Sequence, residues 1–137
     1  MKLPLTGGCA CGAIRYECSA APLRMVNCHC RDCQFAGGSA YAPTVVVARD
    51  TFRLTKGQPA SFERKADSGN IVRRAFCAAC GTPLYASSSA RPDFVGIRAA
   101  SLDDPSWYKA EADVWVGSAQ PWDHLDPAVP KFEKARR

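Results

Sequence analysis

Seven of the eight cysteines in this 137-residue chain arrive in tight groups, Cys9-x-Cys11, Cys28-x-Cys30-x-x-Cys33 and Cys77-x-x-Cys80, and any fold must place those thiols together. A lone buried cysteine behaves as a small apolar residue. Three thiols within Cys28-His29-Cys30-Arg31-Asp32-Cys33 compete instead for one another and for any soft metal. The CxC overlapping a CxxC points to one metal held by three sulfurs. Three ligands leave a tetrahedral ion one position short, and an open position is what separates catalytic zinc sites from structural ones.

The other paired cysteines suggest a second site. Cys77-Ala78-Ala79-Cys80-Gly81 has a zinc-knuckle pattern, in which a tight turn presents two sulfurs to one ion and the glycine eases the approach of backbone amides. Cys9 and Cys11 supply two more ligands, closing an all-cysteine tetrahedron that clamps the opening of the chain to its later half. Residues i and i+2 of a flat strand lie about 7 Å apart, too far for two sulfurs on one ion. The glycines flanking this pair, Gly7, Gly8 and Gly12, are expected to let the backbone curl there. Pairing Cys28 and Cys30 with Cys77 and Cys80 also satisfies the spacing, but it strands Cys9 and Cys11 and ranks second. A redox CxxC would want a βαβ setting, which this stretch lacks.

Composition narrows the class. With 47% hydrophobic and 23% charged residues, disorder is not expected, and the length suits one domain spanning 1–137. No apolar run approaches the roughly 18 residues of a membrane span, and Met1-Lys2-Leu3-Pro4-Leu5-Thr6 is too short for a signal-peptide core. A cytoplasmic protein is expected, with metal binding favoured over a disulfide framework. The formal charge of +5 counts thiols as neutral; seven thiolates on two Zn(II) ions lower it to about +2. The basic residues form no single run, so neither nucleic acid nor a membrane is an expected partner.

Hydrophobic patterning predicts many short strands and few helical periods, hence a mainly β fold of short antiparallel strands held by the metal sites. Ala13 to Cys18 alternates, with Ile14, Tyr16 and Cys18 on one face, which makes Cys18 a core thiol and not a ligand. Further strands are expected over Leu23 to Asn27, Ser39 to Ala48, Thr51 to Thr55, Ser61 to Lys65, Asn70 to Phe76, Leu84-Tyr85 and Phe94 to Ala99. The run Thr44-Val45-Val46-Val47 is the strongest of these signals. Ser87 to Asp93 reads as a polar loop, and Ala112 to Val116 as a last strand with Val114 and Val116 on one face and Trp115 on the other. Residues 120–137 read as a surface-lying tail anchored by Trp122 and Phe132. His29, between two ligating cysteines, is expected to point away from the metal, and His124 is the other candidate for a fourth ligand. For both, a satisfied surface histidine is the commoner outcome.

Taken together, GGCxCGxxRY at Gly7 to Tyr16, CHCxxC at Cys28 to Cys33 followed by Gly37-Gly38, FCxxCGTPL at Phe76 to Leu84, and the stretch from Pro121-Trp122 to Phe132-Glu133 resemble the glutathione-dependent formaldehyde-activating enzyme and centromere protein V family. The resemblance covers nearly the full length. It implies a tent-like β fold with two zincs, a structural one on Cys9, Cys11, Cys77 and Cys80 and a catalytic one on Cys28, Cys30 and Cys33. The implied activity is that of a carbon-sulfur lyase, joining glutathione to formaldehyde as S-(hydroxymethyl)glutathione. Arg73 and Arg74, or Arg98, are candidates for the glutathione carboxylates, against the plainer reading of a solvated strand face. The competing functions are a non-enzymatic zinc-binding interaction module and a zinc storage or delivery protein.

Overall fold

The computed structural model describes residues 1–135; the last two residues of the expected 120–137 tail, Arg136 and Arg137, lie outside the described residues. In chain order the elements are β1 (Leu5–Gly8), β2 (Arg15–Cys18), β3 (Arg24–Cys28), α1 (Arg31–Gly37), β4 (Ala42–Ala48), β5 (Phe52–Lys56), β6 (Ala60–Lys65), β7 (Ile71–Phe76), β8 (Pro83–Ser88), β9 (Arg91–Arg98), β10 (Ala112–Val114) and β11 (Lys131–Phe132). They form a three-stranded sheet, β1-β2-β5, and an eight-stranded sheet, β11-β10-β3-β4-β9-β8-β7-β6. The fold is mainly β, as the patterning predicts.

The valine run lies where its residue types favour it, inside the larger sheet. Val45 and Val47 on β4 stand opposite Ile97 and Val95 on β9, and all four are buried. Alternation then sends Tyr16 and Cys18 from the smaller sheet, with Ile14 just before β2, into the same core. Rings lock the two sheets together: Tyr16 and Phe52 have centroids 5.3 Å apart, and Phe52 meets Tyr85 edge-on at 4.8 Å. Cys18 is a core thiol, 3.3 Å from Thr51 Oγ1.

Two glycines of the opening motif act through close approach. A Cβ on Gly7 would fall 2.4 Å from the Tyr16 hydroxyl, and one on Gly8 would fall 2.1 Å from the Ile14 carbonyl oxygen. The left-handed residue that turns the chain is Gly12, at φ 80°. Gly8→Ala is expected to destabilise the fold by about 1–3 kcal/mol, read as a lower urea midpoint, because the obstacle is backbone and cannot swing aside. An unchanged midpoint would show that β1 and β2 tolerate separation.

Several expectations are corrected. Helix α1 begins inside the cysteine-rich stretch, at Arg31, and its seven residues are too few to display a helical period. It is held at its ends: Cys30 Sγ accepts from the Cys33 amide, and Gly38, at φ 67°, closes the last turn by donating to the Gln34 carbonyl. The stretch Ser87 to Asp93 is not an open loop. β8 runs to Ser88 and β9 starts at Arg91, and the serines are polar because this part of the hairpin meets solvent. β10 stops at Val114, since Trp115 turns left-handed at φ 59° and a 3-10 turn over Val116–Ser118 follows. The sheet is not wholly antiparallel, because β10 pairs parallel with both β3 and β11. In the tail, Trp122 is 64% exposed and anchors nothing, whereas Phe132 sits in β11. Among the described residues, no helix is long and apolar enough to cross a membrane.

Candidate metal centres

The knuckle turn after β7 and the curled turn after β1 bring four sulfurs together. The Sγ atoms of Cys9, Cys11, Cys77 and Cys80 all lie within 4.8 Å of one another, with Cys9 to Cys11 at 3.6 Å and Cys11 to Cys77 at 3.7 Å. Sulfurs on a tetrahedral ion at about 2.3 Å stand about 3.8 Å apart, so this donor set fits a single zinc-sized cation. Gly81, at φ 79°, permits the turn in which its amide donates to the Cys77 carbonyl. Thr82 joins the two halves. Its hydroxyl accepts from the Ala10 amide and lies 3.1 Å from Cys80 Sγ.

Electrostatics within this group are divided. The Thr82 hydroxyl, with the Thr82 and Cys11 amides, holds the Cys80 thiol down to about 5. Although the Ala13 amide favours the Cys11 thiolate, the neighbouring sulfurs of Cys9, Cys80 and Cys77 push Cys11 up to about 11. Four thiols this close cannot all ionise without a cation among them.

A separate set of sulfurs, Cys28, Cys30 and Cys33, also lies within 4.8 Å. Cys28 ends β3, Cys30 caps α1 and Cys33 lies in its first turn. The structure thus separates the two groups, and the alternative joining Cys28 and Cys30 to the knuckle is not found. Hydrogen bonds from Cys28 and Cys30, and then the charges of Arg98 and Arg74, hold Cys33 well below the ordinary thiol range against its burial. Cys28, facing two competing sulfurs, is driven far above it. All eight cysteines are free thiols.

The three-sulfur group opens into a cavity of about 450 Å³, whose lining includes Cys28, Cys30, Cys33, Arg64, Lys65 and Arg74. The three candidate arginines part company here. Arg73 turns to the solvated face and pairs with Glu63 at 2.6 Å. Its neighbour Arg74 points to the other face of β7 and is 7% exposed. Arg98 donates to Thr44 Oγ1 at 2.7 Å while its charge acts on Cys33.

His29 points away from the sulfurs, but it is not at the surface. It is fully buried, with Nε2 2.9 Å from Asp113 Oδ1 and Nδ1 3.1 Å from Asp123 Oδ2. The second contact lacks the alignment of a hydrogen bond. Burial alone would raise Asp113, yet hydrogen bonds from His29, Asn27 and Lys131 hold its carboxyl below the ordinary range. Together with the His29 amide donating to the Val114 carbonyl, these contacts fasten the turn between Cys28 and Cys30 onto β10. Buried Gln34 adds a second fastening by donating to the His29 and Ser118 carbonyls. His124 is exposed and belongs to neither sulfur group.

Asp113, Asp123, Gln34 and Thr82 are absent from the sequence-based site. Asp113 had a usable signal, being an acid between Ala112 and Val114 in a strand whose three residues are all buried. A charge in such a place needs a partner.

A family model described as "Glutathione-dependent formaldehyde-activating enzyme" matches residues 4–118. A Halomonas elongata protein named "Putative glutathione-dependent formaldehyde-activating enzyme" is 29% identical over 103 residues, covering 72% of this chain and 66% of that protein. The chain therefore matches slightly under two thirds of the length of that relative. In structure, a crystal structure of a Rhodobacter sphaeroides protein superposes with a TM-score of 0.61 at 17% identity, covering 93% of this chain and 98% of the other; that likeness establishes the fold alone.

Proposed function

The chain belongs to the glutathione-dependent formaldehyde-activating enzyme family, and on that premise we propose that it is a two-zinc enzyme of the carbon-sulfur lyase type. It joins a thiol, glutathione, to a small aldehyde such as formaldehyde and yields S-(hydroxymethyl)glutathione. The observation that carries this reading is the inequality of the two sulfur groups. Four sulfurs, those of Cys9, Cys11, Cys77 and Cys80, gather in one group that would suffice for a closed tetrahedral site, while Cys28, Cys30 and Cys33 offer only three, beside a cavity. The first group holds the structural ion and the second the catalytic one.

When bound, zinc supplies Lewis acidity and favours the deprotonated form of a substrate thiol at neutral pH. The rest of the work falls to the chain. Arg31, Arg64 and Lys65 line the cavity and complement a tripeptide thiol that carries two carboxylates. His29, Asp113 and Gln34 keep the cysteine-bearing turn fixed, so that thiol and aldehyde meet in one orientation. The reaction forms one carbon-sulfur bond. The carbonyl π electrons pass to oxygen, which takes up a proton as the thiol gives one up, so no net proton is exchanged.

The test uses cobalt-substituted protein. Glutathione is expected to bind at millimolar or better affinity and to shift the visible spectrum of the cobalt held by the three sulfurs, and formaldehyde is then expected to be consumed. A spectrum unmoved by glutathione or any other small thiol would remove the reading. A metal-exchange experiment with a chromophoric chelator separates it from zinc delivery, which requires rapid loss of one ion without any response to thiol.

A further inference from the structure

Beside the cysteine cavity lies a second one of about 330 Å³, whose lining includes Phe35, Phe62, Phe76 and Pro83. The two share Asp32, Arg64 and Arg74 on their common wall. Glutathione has no apolar side chain and formaldehyde is a single carbon, so neither gives this aromatic chamber any work. Its rings nevertheless meet water. Phe35 is 72% exposed and Phe62 is 43% exposed, and Phe62 faces Phe76 with centroids 6.2 Å apart.

The cations of the chamber are not equivalent. Arg64 is held by Asp32 at 2.9 Å, and Arg98 donates to Thr44. Arg74 differs. It is 7% exposed, its Nε is a buried donor without an acceptor, and its charge otherwise acts on the Cys33 sulfur. A buried guanidinium N–H left without an acceptor is costly unless a ligand meets it. Its position on the wall between an aromatic chamber and the open sulfur group specifies what that is.

We propose that the carbonyl substrate of this protein is an apolar, ring-sized carboxylate: its ring lies between Phe62, Phe76 and Phe35, its carboxylate on Arg74, and its carbonyl in the cysteine cavity. The proposal rests on the thiol-to-carbonyl reading above and replaces the smallest aldehyde by a larger acid. Covalent chemistry is unchanged, a thiol adding across the carbonyl with one proton lost from sulfur and one gained by oxygen.

Binding is tested without turnover, on zinc-loaded protein, by calorimetry with three unreactive probes: phenylacetate, acetate and phenylacetamide. Phenylacetate is expected to bind at least about tenfold more tightly than either control, because only it fills the chamber and pairs the guanidinium. Arg74→Met should abolish the preference over phenylacetamide, and Arg74→Lys should restore part of it. Phe62→Ala should abolish the preference over acetate. Metal content of two ions per chain in each variant reports an intact fold. If Arg74 serves only to stabilise the Cys33 thiolate, Arg74→Met weakens metal retention and leaves the probe ranking unmoved, which overturns the proposal. Equal affinity for all three probes overturns it as well. Glutathione titrated into the same samples keeps the two readings apart: a glutathione response without a phenylacetate preference removes this inference alone, and a phenylacetate preference without any thiol response removes the enzymatic reading.

Discussion

Replacing Cys77 by serine is expected to leave the chain unfolded. Cys77 is 2% exposed, and its sulfur stands 3.7 Å from that of Cys11, 66 positions earlier. A structural zinc contributes on the order of 10 kcal/mol to folding, while small domains have about 5–15 kcal/mol of stability in all. Losing one thiolate from the four therefore removes most of what holds the opening turn to the knuckle. The consequence spreads because β1 belongs to the smaller sheet, whose packing on Val45, Val47 and Ile97 closes the core. Circular dichroism and metal analysis are the measurements. The expected result is loss of the cooperative melt together with fewer than one ion per chain, and the same loss is expected when a strong chelator is added to the unmodified protein. A Cys77→Ser protein that melted normally with two ions per chain would show that the knuckle is not a clamp.

How much of this was legible beforehand varies with the range of the interaction. The sulfur groups were readable because ligand spacing is local: CxC and CxxC put donors within one turn, and only the pairing of Cys9-Cys11 with Cys77-Cys80 needed a long-range argument. The valine run of β4 and the alternation through Tyr16 were readable for the same reason, since each strand declares its own buried face. What was not legible depends on contacts between distant segments. Nothing in Cys28-His29-Cys30 shows that Asp113 and Asp123 will flank the imidazole, and nothing in Arg73-Arg74 says which arginine meets Glu63 and which is buried. That choice is a matter of register, where one residue's shift exchanges the faces. The parallel placement of β10 between β3 and β11 likewise follows from the return path of the chain and not from the composition of Ala112–Val114.

Replacing Cys33 by serine is expected to have the opposite signature: a folded protein with one ion per chain and thiol addition reduced at least about a hundredfold. The three-sulfur group sits at the end of β3 and the start of α1, outside the packed layer between the sheets. Its neighbourhood has fastenings of its own, in the His29 contact with Asp113 at 2.9 Å and the Gln34 hydrogen bond to the His29 carbonyl at 2.8 Å. Serine keeps the size of the side chain but gives up the thiolate, which in Cys33 is the one favoured by its neighbours and by Arg98 and Arg74. Zinc analysis, a thermal melt and an assay of formaldehyde consumption by glutathione decide the matter. Unfolding would mean that the triad carries structural load as well, and full activity with one ion would place the chemistry elsewhere. The pair of variants also predicts an order of events on slow chelation of the unmodified protein. The open three-sulfur site gives up its ion first, so activity must vanish while the melt is still cooperative, and unfolding follows only when the four-sulfur clamp is stripped.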